Sequence, residues 1–143
     1  MTYEATLYQG DSCVLDYTPD AALTGGEVIQ MADGRAGITP VDIAASALGA
    51  VRTEGVFIVA KTADIYFIDG APVYWDHSAN KAYFKSVSDR DFFLGTAVGD
   101  AAASATTMYV NLNVKPEYKL DLARDAYLTA PVGTQALGGF LPP

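Results

Sequence analysis

The side chains able to do chemistry are few and poorly grouped. The one histidine, His77, follows Asp76. A histidine beside a carboxylate can begin a proton relay or a pH-sensitive contact. Here the pair opens Asp76-His77-Ser78-Ala79-Asn80, a run with turn chemistry, and solvation of that turn is the role assigned to His77. A single histidine leaves His-based metal sites and Ser-His-Asp relays without their parts. Asp89 and Asp91 flank Arg90, which suits a local ion-paired loop better than the opposed carboxylates of a glycosidase. The lone cysteine, Cys13, stands in the strand-like run Ser12-Cys13-Val14-Leu15 and is expected to be a buried, inert thiol. No intrachain disulfide is possible with one cysteine. No glycine precedes a lysine, so the phosphate-cradling G-x-x-x-x-G-K-[ST] loop is absent. G-x-S-x-G and the calcium-loop spacing are absent as well. The expectation is a protein that is not an enzyme, with no catalytic residue, no cofactor and no metal site.

The elements that would have to position any site are strands. Val73 and Trp75 fall on one side of Gly70-Ala71-Pro72-Val73-Tyr74-Trp75-Asp76, with Tyr74 and Asp76 on the other. Pro72 stands where a strand can start, Asn80 can take positive φ in the link, and Lys81 to Lys85 returns as the second arm of a hairpin, with Tyr83 and Phe84 putting aromatic bulk on both faces. The only tryptophan lies here, and a side chain of that size sets the geometry of a small core. Thr106, Met108, Val110 and Leu112 alternate with Thr107, Tyr109, Asn111 and Asn113, the cleanest period of two in the chain. Tyr3 to Gln9, Ser12 to Tyr17, Glu27 to Met31, Arg35 to Ile38 and Phe92 to Val98 also read as strands, with Asp33-Gly34 as a hairpin signal. Leu48 to Lys61 places Val51, Thr53, Phe57 and Val59 on one side, and Gly55 interrupts it as a bulge or a close backbone approach. Ile65 to Ile68 reads as a short buried piece. Pro40 to Ser46 reads either as a helical turn capped at Thr39 or as a loop. Many short strands with Gly, Pro and Asp turns predict an all-β fold, a compact small β-barrel or β-sandwich.

Composition narrows the partners. The 143 residues carry a net charge of −8, and the nine basic residues are scattered. A nucleic-acid surface needs concentrated cations, so direct nucleic-acid binding is not expected. No apolar run approaches the ~20 residues of a membrane helix, and Met1-Thr2-Tyr3-Glu4 shows no basic start to a signal peptide. Synthesis in a cytoplasm, or assembly there into something larger, is the expectation.

Residues 1–115 form the predicted β-domain, and residues 116–143 a C-terminal extended tail or arm. Glu117 to Leu128 reads as a helix or a strand. Beyond it the chain is almost uncharged and carries Leu137, Phe140 and Leu141. A solvated tail is normally polar. One with apolar anchors docks on its own domain or on something else, and residues alone leave both open. Tyr3, Tyr8, Tyr118 and Tyr127 are the tyrosines placed as interface candidates, with Leu137, Phe140 and Leu141.

The run GAPVYWDHSANKAYF, followed by Phe92 to Val98, resembles a family of small tailed-phage proteins read as capsid decoration (cement) proteins, some of them labelled RecA-like recombinases. Gln9-Gly10-Asp11, Gly25 to Val28, Glu54 to Phe57 and Thr107 to Leu112 extend the resemblance over about residues 3–114. The missing phosphate loop does not support the recombinase label. The resemblance implies a structural virion protein on the outer surface of a tailed-phage capsid, made in the host cytoplasm. It further implies that the protein bridges and stabilises capsomers, with the major capsid protein and itself, as a homotrimer, for partners. The alternative class is a carbohydrate- or ligand-binding β-module of a head fibre or tail accessory protein, with aromatics such as Tyr74 stacking on sugars.

Overall fold

The computed structural model describes residues 4–10 and 13–116. These form ten strands and no helix: β1 (Ala5–Gln9), β2 (Val14–Tyr17), β3 (Val28–Gln30), β4 (Ala36–Ile38), β5 (Gly49–Arg52), β6 (Val56–Ala60), β7 (Pro72–Asp76), β8 (Lys81–Tyr83), β9 (Phe92–Val98) and β10 (Thr107–Leu112). A six-stranded sheet has the order β1-β6-β10-β9-β7-β8, and a four-stranded sheet the order β2-β5-β4-β3. All strand pairs are antiparallel. The large sheet curls until Lys61, just past β6, meets Ala82 through one parallel bridge, yet no barrel closes. The fold is a sandwich.

Its core lies between the sheets. Val28, Ala36 and Ile38 come from the small sheet. Phe57, Val59, Val73, Trp75, Leu94, Ala97, Met108, Val110 and Leu112 come from the large one. The alternation of β10 is realised directly, with Met108, Val110 and Leu112 buried. The β7–β8 hairpin also forms, with Asn80 at φ 55° in its turn. Its return arm stops at Tyr83, and the buried residue there is Ala82, opposite Trp75. A small side chain faces the large ring, so aromatic bulk sits on the outer side only.

Leu48 to Lys61 is not one bulged strand. Val51, Thr53, Phe57 and Val59 are all buried, but β5 belongs to the small sheet and β6 to the large one. Gly55, at φ 119°, is the corner where the chain changes sheets. Gly10, at φ 90°, makes the opposite crossing after β1, and a Cβ on it would lie 4.0 Å from the Gly55 Cα. The two crossings are therefore side by side, in backbone conformations that only glycine adopts without strain.

One open alternative is decided and two other expectations are corrected. Pro40 to Ser46 is a loop, tied down by the Leu23–Ile43 bridge and by Asp42 accepting the Gly25 N–H at 2.7 Å. In Ile65 to Ile68 only Phe67 is buried. It bridges to Ala101, which turns Tyr66 and Ile68 outward. Cys13 is exposed, because it precedes β2, the edge strand of the small sheet, and is held there through its carbonyl by the Thr53 N–H.

Polar side chains fasten one sheet to the other. Asn113, at φ 61° just past β10, accepts the Ala36 N–H at 2.9 Å and donates to the carbonyls of Ala36 and Thr53 at 2.9 and 2.8 Å. Glu4 accepts the Val28 N–H at 2.9 Å. Burial raises the Glu4 pKa, the Val28 hydrogen bond opposes that rise, and Glu27 adds to it. The folded state therefore holds the Glu4 proton to higher pH than the unfolded chain does. Stability from this group is present at low pH and lost as pH rises from the unfolded value through the raised folded one. Glu4→Gln keeps the acceptor and drops the charge. It should remove that pH dependence and match or exceed the parent at neutral pH, by a small margin within about 1 kcal/mol. Urea midpoints of both proteins from pH 4 to 8 measure this, and a clear loss of stability at neutral pH would show that the charge itself is needed.

Candidate interaction surface

The side chains singled out for chemistry do not come together. The Asp76 carboxylate accepts the Ser78 and Ala79 N–H groups and the Ser78 hydroxyl, so it is committed to the turn rather than to His77. The His77 backbone N–H donates to Asp91 at 3.0 Å. Asp91 is not ion-paired with Arg90. Its carboxylate gathers N–H groups from Val87, His77 and Ser88, which hold its pKa below the usual range although burial opposes them. Short loops leave more backbone donors than water reaches easily, and one carboxylate satisfies several. The ion pair found among the described residues is Arg35–Asp33, exposed beside the Gly34 turn. No cluster of three or more His, Cys, Asp or Glu among the described residues is placed to hold a metal ion.

Lys61 is a buried cation with a structural task. Its ammonium donates to the carbonyls of Thr62, Ala103 and Ala105 at 3.0, 3.4 and 3.1 Å, and burial lowers its pKa. Two of its donors pin the loop before β10, and the third goes to the carbonyl of the next residue, Thr62. Tyr66 donates to Asp100 at 3.2 Å, and the negative charge of Asp100 pushes its phenol pKa up.

The distinctive surface is the outer face of the large sheet. In β10 the outward residues are Thr107, Tyr109 and Asn111. Across to β9, Tyr109 pairs with Val98 and Asn111 with Thr96. Across to β6, the same three residues meet Ala60, Ile58 and Val56. Thr6 of β1 pairs with Ile58, and a bulge between Leu7 and Gln9 frees Tyr8. Its ring lies 4.5 Å from that of Tyr109. On the other side Tyr74 faces both Phe93 and Tyr83, with its ring edge-on to Phe93 at 5.6 Å. Outward positions of β1, β6, β10 and β9 carry no Asp, Glu, Lys or Arg. Charge returns at the hairpin tip, where Asp76 pairs with Lys81. The water-facing side of an antiparallel sheet is normally charged and polar. A broad uncharged face rich in tyrosine and β-branched residues, on a chain of net charge −8, has the composition of an interface.

Tyr8 is thus placed at the edge of this face, 56% exposed. Tyr3, Tyr118, Tyr127, Leu137, Phe140 and Leu141 lie outside the described residues. Sequence reasoning missed Tyr109, Ile58, Thr96 and Val98. Their signal was present in the alternation itself, since the outward residues of these strands are Thr, Tyr, Asn, Ile and Val.

Fold and surface together define a small β-sandwich whose large sheet presents a tyrosine-bearing outer face. The chain matches the family of phage cement proteins over residues 8–112, and it belongs to that family. No curated protein and no solved structure matches it. Family membership gives a capsid-associated, structural role in the phage virion.

Proposed function

We propose that the protein decorates the outer surface of a tailed-phage head and holds neighbouring capsomers together. The observation that carries this is membership of the cement family over residues 8–112, in a β-sandwich whose large sheet offers an outer face suited to contacts within an assembly. The mechanism is linkage. A rigid domain that binds across a junction between capsomers, and not to separated ones, shifts the equilibrium towards the intact shell. Each contact can be modest, because a trimer at a three-fold position makes several at once and many copies act on one shell. The major capsid protein is the partner on the head. Residues 116–143 act as an arm, with Tyr118, Tyr127, Leu137, Phe140 and Leu141 as its contacts beyond the β-domain, and Tyr3 and Tyr8 contribute from the other end of the chain.

The test is co-sedimentation of the purified protein with mature heads that lack it and with unexpanded precursors. Saturable binding to mature heads, at a stoichiometry matching their local three-fold positions, is expected. Binding to neither particle would overturn the proposal and leave the glycan-binding module to be tested on an array.

A further inference from the structure

We infer that the outer face of the large sheet is the seat for residues 117–143 of a second copy of this chain. The inference rests on the reading of that segment as an arm. Three observations carry it. First, the chain leaves the domain on this face. After the turn at Asn113, the Val114 carbonyl accepts the hydroxyl of Thr96, and the Lys115 ammonium lies 5.0 Å from the centre of the Phe93 ring. Second, the composition of the segment is divided. Glu117, Lys119, Asp121, Arg124 and Asp125 concentrate its charge in the first part, whereas residues 129–143 carry none. The outward positions of β1, β6 and β10, which carry no charged residue, and an uncharged stretch with Leu137, Phe140 and Leu141 are matched in polarity, and a charged stretch is suited to crossing solvent.

Third, the spacing fits a neighbour better than the parent domain. Across the sheet β9 and β1 are three strand spacings apart, about 15 Å, which a handful of residues covers. The apolar anchors come more than twenty residues after Pro116. A domain of this size is on the order of 35 Å across, so at least ~11 extended residues separate one exit point from the next copy's face. Residues 117–128 supply that length and carry the charge. The anchors then arrive over the Tyr8–Tyr109 pair, whose residues are 56% and 40% exposed. Arms exchanged in this way are heterologous contacts, and they close into a ring when the rotation between copies permits.

Single-cysteine variants of the full chain test this. In a Cys13→Ser background, Tyr109→Cys is mixed with Phe140→Cys under mild oxidation, without heads present. Val98→Cys serves as a second face position should Tyr109→Cys fail to fold by circular dichroism. A disulfide between the two different variants, formed at least about tenfold faster than Tyr109→Cys links to itself, is the expected result. Chain carrying both substitutions but forming only an intrachain bond would place the arm on its own domain and overturn the inference, as would the absence of any bond. The outcome is separable from that of head binding. Saturable attachment to heads without the interchain bond removes the arm exchange and keeps the decoration role. The bond without attachment does the reverse.

Discussion

Trp75→Ala should cost about 3–5 kcal/mol, a large part of the 5–15 kcal/mol that holds a typical domain folded. Trp75 is 1% exposed and heads the large fully buried side chains. It stands in β7 with Phe92 opposite on one side and Ala82 on the other. Those neighbours cannot close the space it leaves. Phe92 already packs inward, and Ala82 is small because the indole fills the volume in front of it. Both belong to strands fixed by ladders, so collapse would mean breaking backbone pairing. Trp75→Phe keeps most of the buried area and should lose about 1–2 kcal/mol. Guanidinium midpoints by circular dichroism separate the two, since the variants lack the only tryptophan as a fluorescent probe. Equal stability of Trp75→Ala and the parent would mean that the core is not organised around this ring.

Gly95→Ala is the second large effect, and it arises from space rather than from backbone freedom. Gly95 pairs with Val73 on one side and Leu112 on the other, in the middle of the large sheet. A Cβ there would overlap the Asn111 carbonyl oxygen and approach Val110 Cγ1 to 2.9 Å. The carbonyl is backbone in the neighbouring strand, so relief requires β9 and β10 to separate. Overpacking ordinarily costs about 1–3 kcal/mol, and a backbone obstacle puts this case at the upper end or beyond. Gly37 in β4 is the control. A Cβ on it meets only side-chain atoms of Val51 and Met31, at 3.3–3.4 Å, which can yield. Gly37→Ala should therefore stay within about 1 kcal/mol of the parent. Thermal melts of the two variants measure the difference, and similar losses in both would refute the distinction between backbone and side-chain obstacles.

The strands themselves were legible because period-two alternation is a local signal. From the sequence, β9 falls at its observed bounds and Met108, Val110 and Leu112 of β10 fall in one alternating set, whereas Thr106 of the same set lies before the strand and is exposed. Sheet membership was not legible. Nothing between Leu48 and Lys61 marks β5 and β6 as partners of different sheets, since a crossing and a bulge both call for glycine at one position. Cys13 looked buried because apolar neighbours suggest a core strand, while the edge position of β2 depends on pairing far along the chain. Asp91 illustrates the limit for polar groups. Its sequence neighbour Arg90 suggested an ion pair, but the loop geometry brought three N–H groups closer. The interaction face was hidden for the same reason. Each strand shows its own uncharged outer residues, but only the order β1-β6-β10-β9 makes them contiguous.

The adjacency of Gly10 and Gly55 makes the small sheet a closed excursion from the large one. β1 pairs with β6, so everything between them leaves and returns at one point. Such a lobe can open as a unit while the β1–β6 ladder stays zipped, because both ends of the excursion are held by a pairing that does not include it. The resistance to opening then comes from the shared core and from the few bonds that cross between the sheets, those of Asn113 and Glu4 foremost. Amide hydrogen exchange would see this as two levels of protection, with β2 to β5 exchanging together through a lower-energy opening than β6, β9 and β10. The large sheet, with its candidate interaction face, would keep its shape throughout. On a capsid, as proposed above, the small sheet would then yield to stress while the face of the large sheet stays intact.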